Sequence, residues 1–194
     1  MSPINPKEII RKNVLEIRNQ LSDIDIIKFS KIINKKIITS KEFKNANCIG
    51  IYYPIGSEVQ TFDIIRESLL MNKQIGLPRV INSEIIKFYL ILEKSLGQIK
   101  LTKEKYGVMI NSDSNVDLES IDLLLIPGVA FDKKCNRIGY GKGFYDKYIQ
   151  TTNQAKKIGL AFQKQIVEQI PINKHDKKLD LIVTEKNNYY YKTN

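Results

Sequence analysis

Short apolar runs alternate with stretches of helical spacing along this chain, and that alternation narrows the fold more than any other feature. The runs are Cys48-Ile49-Gly50-Ile51-Tyr52-Tyr53, Gln74 to Leu77, residues 85–92, Asp122 to Gly128, Lys157 to Ala161 and Leu179 to Thr184. Runs this short and this apolar suit strands buried on both faces, as in a parallel sheet covered by helices. Between them, residues 6–21 place Ile9, Ile10, Val14, Ile17 and Leu21 at helical spacing behind Asn5-Pro6. Ser22 is placed to cap a second helix that carries Ile26, Ile27, Ile33 and Ile37, and a third short helix is expected over 40–45. Thr61 or Ser57 opens the next, with Ile64, Ile65 and Leu69 inward, and residues 143–150 form a helix after a glycine-rich turn. Strands separated by helices predict one α/β domain over residues 1–194 with a largely parallel sheet, the 85–92 run lying antiparallel or at an edge. Residues 95–120 read as less regular, and the tail NNYYYKTN is ordered only if its tyrosines dock.

Composition removes several classes. A chain of 194 residues, 42% hydrophobic and 27% charged, can build a sizeable core and has the balance of a soluble protein. Cys48 and Cys135 lie far apart and form no CxxC, so neither a disulfide framework nor a cysteine metal site is expected. The first residues, MSPINPKEIIRKNVLEIR, hold no apolar signal core, and no run approaches membrane-spanning length. A cytosolic monomer with no membrane contact is the expectation. The net charge of +10 favours anionic partners such as nucleotides, polyglutamate tails or nucleic acid. The lysines are scattered, as in Lys35-Lys36, Lys133-Lys134 and Lys177-Lys178, with no Arg-rich arm. A solvated surface explains them first, a small anion second and nucleic acid last, and no nucleic-acid partner is expected.

The chemistry concentrates between Leu123 and Tyr148. A buried strand ends at Pro127-Gly128, and after a polar turn the chain reads Arg137-Ile138-Gly139-Tyr140-Gly141-Lys142-Gly143-Phe144-Tyr145-Asp146 and enters a helix. Glycines reach positive φ and let backbone N–H groups approach a ligand, and a helix N-terminus behind them favours phosphate. Lys142 adds a mobile charge, Arg137 a fork of donors suited to phosphate oxygens, and Asp146 a carboxylate able to hold a phosphate-bridging Mg²⁺. Gly143 stands where a Walker A loop needs Ser or Thr, and Phe144 where GxGxxG needs glycine, so neither motif is present.

The string Pro127-Gly128, Phe131-Asp132, Asn136-Arg137, Gly139, Gly141-Lys142-Gly143 and Tyr145-Asp146 resembles the signature of 5-formyltetrahydrofolate cyclo-ligases. The resemblance extends to Lys7-Glu8-Ile9-Ile10-Arg11 and Arg18, to Tyr53-Pro54 with Glu58 and Thr61, and to Leu77-Pro78-Arg79-Val80. It continues through Gly159-Leu160-Ala161-Phe162, Gln165, Pro171, Asp176 and Leu179-Asp180. It implies a three-layer α/β/α fold with N-terminal helices, like that of sugar-phosphate isomerases and CoA transferases. It also implies ATP and Mg²⁺, with 5-formyltetrahydrofolate and its polyglutamates as substrates. ATP contacts are implied at Lys7, Arg11 and the loop of Arg137, Ile138, Gly139, Tyr140, Gly141, Lys142, Gly143, Phe144 and Tyr145. Folate contacts are implied at Tyr53, Glu58, Phe144 and Tyr145, and metal contacts at Asp146 and Asp180. Where many relatives carry Tyr-Tyr this chain has Phe144-Tyr145, which removes a hydroxyl and keeps a ring.

The implied reaction phosphorylates the formyl oxygen so that N10 of the folate can displace it and close the ring. In that scheme Lys142, Arg137 and Glu58 are the catalytic candidates, the first two for charge and Glu58 for the N10 proton. The same residues have plainer readings. Glu58 suits a helix's first turn, Lys7 and Arg11 a solvated helix face, Tyr53 the core and Asp180 a strand flank. His175 reads as an exposed loop residue, and Cys135 lacks a base to make it a nucleophile. Two other functions stay open at this point: a phosphate-binding isomerase or transferase on a similar fold, and a basic nucleic-acid-binding module.

Overall fold

A computed structural model describes residues 5–103, 109–111, 115–118, 120–152, 154–173 and 176–192, so His175 lies outside the described residues. The helices are α1 Pro6–Asn19, α2 Asp23–Ile38, α3 Lys41–Asn45, α4 Phe62–Leu70 and α5 Phe144–Thr151. The strands are β1 Cys48–Gly50, β2 Gln74–Val80, β3 Ile86–Leu90, β4 Leu101–Lys103, β5 Met109–Asn111 and β6 Leu123–Ile126. They continue with β7 Ala130–Asp132, β8 Arg137–Ile138, β9 Lys156–Leu160, β10 Ile166–Val167, β11 Leu181–Val183 and β12 Asn188–Tyr190.

Asn5 and Ser22 start their helices as the sequence reading expects, and Ser40 starts the third in the same way. The Ser22 hydroxyl accepts from Asp25 N at 3.1 Å, the Ser40 hydroxyl from Phe43 N at 3.2 Å and the Asn5 amide oxygen from Lys7 N at 3.0 Å. Thr61 precedes α4 without capping it, because its hydroxyl donates to the Tyr52 carbonyl at 2.8 Å and ties the helix to the end of β1.

The main sheet has the order β12-β11-β9-β6-β1-β2-β3. Strands β2, β1, β6, β9 and β11 are parallel, while β3 and β12 close the edges antiparallel. The chain starts mid-sheet at β1, steps out to β2, then returns past β1 and proceeds through β6, β9 and β11. In open α/β sheets such a reversal leaves a crevice beyond the carboxyl ends of the two strands on either side of it, here β1 and β6.

Strand β2 continues through Pro78, where the sequence reading had ended it. The β1 pairing stops at Gly76, while β3 pairs on to Val80. Hydrogen bonds from Ile81 N to Ile85 O and from Ile91 N to Ile75 O set the alternation, which puts Pro78 at a non-bonded position opposite Phe88. Its missing N–H therefore faces the side β1 has already left, and the ladder loses nothing. The tail does dock: β12 pairs with β11, and the Tyr189 hydroxyl accepts from Gln163 Nε2 at 2.9 Å.

Alternate strand residues face opposite layers. Ile49, Leu123, Leu125, Ile158, Leu160 and Leu181 meet Ile33, Ile37, Phe43, Ile64 and Ile65 of α2, α3 and α4. Leu124, Ile126 and Ile182 pack with Ile149 of α5 and with Phe131. Helix α1 covers neither main face. It packs through Val14 on Val129, Ala130, Ile138 and Ile170, beside the small sheet β10-β7-β8. Its inward stripe is Ile10, Val14 and Arg18, whereas Ile9 and Ile17, and Ile27 on α2, stand exposed. Among the described residues no helix is long and apolar enough to cross a membrane.

Candidate active site

A cleft of about 380 Å³ opens beyond the carboxyl ends of β1 and β6, where the reversal of strand order places it. Its walls come from the start of α1, the segment after β1, the β2–β3 pair, the turn after β6, and the loop between β8 and α5. Lys7, Arg11, Tyr53, Glu58, Arg137 through Asp146 and Asp176 all border it, so nearly every residue singled out from the sequence converges there.

One pole of the cleft is cationic. Gly141 has φ +99° and Gly143 φ +70°, conformations that residues with a β-carbon rarely adopt. They fold the loop so that Gly143 becomes the N-cap of α5, with no side chain covering that helix terminus. Arg11 Nε donates to the Gly139 carbonyl at 2.9 Å, fastening α1 to the loop. Lys7 pairs with Asp176, and Lys142 projects from the exposed part of the loop. Lys7, Arg11, Lys142 and the start of α5 gather at this pole, an arrangement that favours anions. This resolves the plainer reading of Lys7 and Arg11: they are not a solvated helix face.

The other pole is apolar. Pro78, Val80 and Ile86 form one wall, Tyr53 and Phe144 others, and the Tyr53 ring is held edge-on by Phe62 at 5.1 Å between centroids. The Tyr145 hydroxyl is buried with no partner, and burial and the neighbouring Glu58 push its ionisation far upward.

Between the poles sits Glu58. It is 5% exposed and lies before α4, not in its first turn, where Asp63 stands instead. Its carboxylate accepts from Ile55 N at 3.0 Å and from the Tyr140 hydroxyl at 2.9 Å. Burial raises its pKa above the usual carboxylate range, and the Ile55 N–H, Arg18 and Tyr140 partly offset that.

Two assignments change. Arg137, read from the sequence as a fork of donors for phosphate, lies beneath the loop with its side chain 3% exposed. Its guanidinium donates to Asp146 Oδ1 at 3.0 Å and to the Pro127 carbonyl at 3.2 Å, and sits 5.6 Å from the centre of the Tyr145 ring. It braces the loop. Asp180 does not border the cleft. It precedes β11 at the amino end of the parallel strands, and its carboxylate accepts from Lys157 N at 2.7 Å, so the strand-flank reading is the one the structure bears out. Among the described residues no three His, Cys, Asp or Glu side chains gather to hold a metal ion. Asp146 and Asp176, each with its side chain 23% exposed, are the partly exposed carboxylates at the cleft, paired with Arg137 and Lys7.

Cys135 is buried and donates to the Tyr189 carbonyl at 3.2 Å, and burial with Asp132 pushes its thiol up to about 11. It is no nucleophile. Arg18, Asp176 and the Pro78–Val80–Ile86 wall received no role from the sequence. Arg18 had a signal: a charged residue on the inward stripe of α1, buried to 3% exposure, must have dedicated partners.

The 5-formyltetrahydrofolate cyclo-ligase family model matches residues 3–185. The chain belongs to this family. It is 29% identical over 189 residues to the 5-formyltetrahydrofolate cyclo-ligase of Mus musculus, covering 92% of this chain and 93% of that one. Its structure is similar to the 5,10-methenyltetrahydrofolate synthetase of Aquifex aeolicus, with a TM-score of 0.83 and 30% identity over 97% of this chain and 94% of that one. The Mycoplasma pneumoniae 5,10-methenyltetrahydrofolate synthetase superposes with a TM-score of 0.74 at 31% identity, over 93% of this chain and 99% of that one. Within the family, the cleft described above is the place to look for substrate chemistry.

Proposed function

We propose that this chain converts 5-formyltetrahydrofolate to 5,10-methenyltetrahydrofolate, using ATP and releasing ADP and phosphate. One observation carries the reading: a cationic glycine loop and an apolar, aromatic slot border one cleft with a buried carboxylate between them. The first suits a nucleotide's phosphates, the slot a reduced pterin, and the carboxylate a proton held between them.

The formyl group on N5 is an amide, and its carbon is a poor electrophile. Its oxygen attacks the γ-phosphorus, the bond to ADP breaks, and the oxygen becomes part of a phosphate leaving group. Lys142, Lys7 and Arg11 offset the charge on the transferring group, while the loop N–H groups orient it. N10 then bonds to the activated carbon, Glu58 takes the N10 proton, and the carbon–oxygen bond breaks to release phosphate. The raised pKa of Glu58 suits that step, since it makes the carboxylate a better proton acceptor than an exposed one. Pro78, Val80, Ile86, Tyr53 and Phe144 hold the planar rings and exclude water.

The site fits a nucleotide-bound Mg²⁺ better than a resident one. Mg²⁺ keeps several waters and takes one or two carboxylates together with substrate phosphates, and Asp146, beside the glycine loop, would be its protein ligand. When bound, the ion neutralises charge on the β- and γ-phosphates. The decisive assay mixes protein, MgATP and 5-formyltetrahydrofolate and follows methenyl absorbance together with ADP. Product and ADP rising in equal amounts is the expected result; no product, or product without ADP, would overturn the proposal.

A further inference from the structure

We infer that Tyr140 is a positioning residue and not a nucleotide contact: its hydroxyl, shared between Arg18 and Glu58, fixes the Glu58 carboxylate at the substrate and fastens the glycine loop to it. The inference deepens the proposed function, because it rests on Glu58 as the acceptor of the N10 proton.

The geometry is a three-residue relay. Arg18 Nη2 donates to the Tyr140 hydroxyl at 2.8 Å, and that hydroxyl donates to Glu58 Oε1 at 2.9 Å. Among the described residues no direct ion pair joins Arg18 to Glu58, so the phenol oxygen is their link. A hydroxyl with one proton and two lone pairs can accept from a cation and donate to an anion at once, and phenylalanine can do neither. Both ends are anchored. Arg18 is 3% exposed and also donates to Ser57 Oγ at 3.0 Å, while Glu58 Oε2 is held by Ile55 N at 3.0 Å. Tyr140 itself is 52% exposed. Its ring is therefore not a core element, and its hydroxyl is the part with a defined task. The relay spans α1, the segment before α4 and the glycine loop, so the loop carrying Lys142 is tied to the carboxylate between the poles.

The groups facing Glu58 are Arg18 from α1, Tyr140 from the loop, Tyr52 after β1 and Tyr145 from α5. The three tyrosines are held protonated, Tyr140 with its pKa pushed up to about 12 by burial and by Glu58. Tyr140 thus remains a donor throughout the range in which the carboxylate titrates. Loss of its hydroxyl removes a hydrogen bond made to the charged carboxylate, so protonated Glu58 is favoured and its titration moves to higher pH.

Tyr140→Phe tests this, since it deletes one oxygen from a half-exposed ring. The Glu58 carboxyl is titrated by ¹³C NMR in the ligand-free protein, its signal assigned by its loss in Glu58→Gln. In parallel, kcat/KM for 5-formyltetrahydrofolate is measured against pH at saturating MgATP, and the MgATP Kd by calorimetry. The expected result is an upward move of about one pH unit in the Glu58 midpoint and in the acidic limb of kcat/KM alike. Below the limb that is roughly a tenfold loss of rate, with an unchanged MgATP Kd. A Glu58 midpoint that stays in place overturns the inference, whatever happens to nucleotide affinity. Wild-type protein that makes no product while the midpoint still moves would remove the proposed function and leave the relay standing.

Discussion

Arg137 and Lys142 stand five positions apart on one loop, yet the structure gives them opposite duties, and replacing Arg137 with Met separates these. Methionine keeps an unbranched stem and removes the guanidinium. The side chain is 3% exposed, and its partner Asp146 is 23% exposed on its own side chain. Removing one partner of a buried ion pair typically costs about 3–5 kcal/mol, because the other charge is left unpaired. Two local terms reduce that figure. Water reaches Asp146 from the cleft, and Arg137 Nε is already buried without a partner, so its removal relieves a desolvated donor worth about 1 kcal/mol. A net loss of about 3 kcal/mol follows, and in a chain of this size it lowers Tm by about 6–12 °C. Calorimetric melting at neutral pH is the assay. Adding Asp146→Asn to Arg137→Met should recover about half of the loss, since the stranded charge goes with it. If Arg137→Met melts within about 2 °C of the parent but loses most of its MgATP affinity, the bracing role is wrong and the guanidinium serves phosphate directly.

Lys142→Ala should do the reverse: Tm within about 1 °C of the parent, because the side chain is exposed, and kcat lower by about 10²–10³, read by the methenyl absorbance assay. Glu58→Gln should abolish turnover while raising Tm at neutral pH. A carboxyl whose folded pKa lies above its unfolded value binds its proton more tightly when folded, so its charge destabilises the fold as pH rises through the interval between the two. The Tm advantage of the Gln variant should therefore shrink as pH falls towards the ordinary carboxylate range, and an advantage independent of pH would exclude this cause. Asp180→Asn should leave the Mg²⁺ requirement unchanged, since its carboxylate serves the Lys157 N–H, while Asp146→Asn should raise it. Magnesium titrations of initial rate distinguish the two.

The strands were legible because each carries a compact apolar run, and a run buried on both faces has few alternatives to a covered parallel sheet. Ser22 marked its helix because a side-chain oxygen before an apolar periodic stretch has one good use. Pro78 misled because its cost depends on which neighbour is present at that level, a property of sheet order and not of local sequence. Ile9, Ile17 and Ile27 misled because isoleucine is frequent in this chain, so helical spacing alone overcounts the inward face. In the site, the glycine loop announced itself through residue types that have few other reasons to be adjacent. Arg137 and Asp180 were misplaced because a motif gives identity without direction: the same guanidinium can point up at a ligand or down at Asp146. The apolar wall of Pro78, Val80 and Ile86 had no signature, since those residues read as ordinary strand.

The groups left imperfectly satisfied by the protein itself point to what completes it. Glu58 is buried against its preference, the Tyr145 hydroxyl has no partner, and Gly143 starts α5 with no side-chain cap. Each is a feature a fold selected for stability alone would remove, and all of them border the same cleft. That cleft exists because the sheet reverses direction between β1 and β6, but two of its cations, Lys7 and Arg11, come from α1, a helix that covers neither sheet face. Helix α1 is held to the loop by Arg11 on the Gly139 carbonyl and by Arg18 on Tyr140. A ligand carrying phosphates would bridge the same two elements and deepen their attachment by mass action. The first helix would then be joined to the sheet domain most firmly when such a ligand is in place.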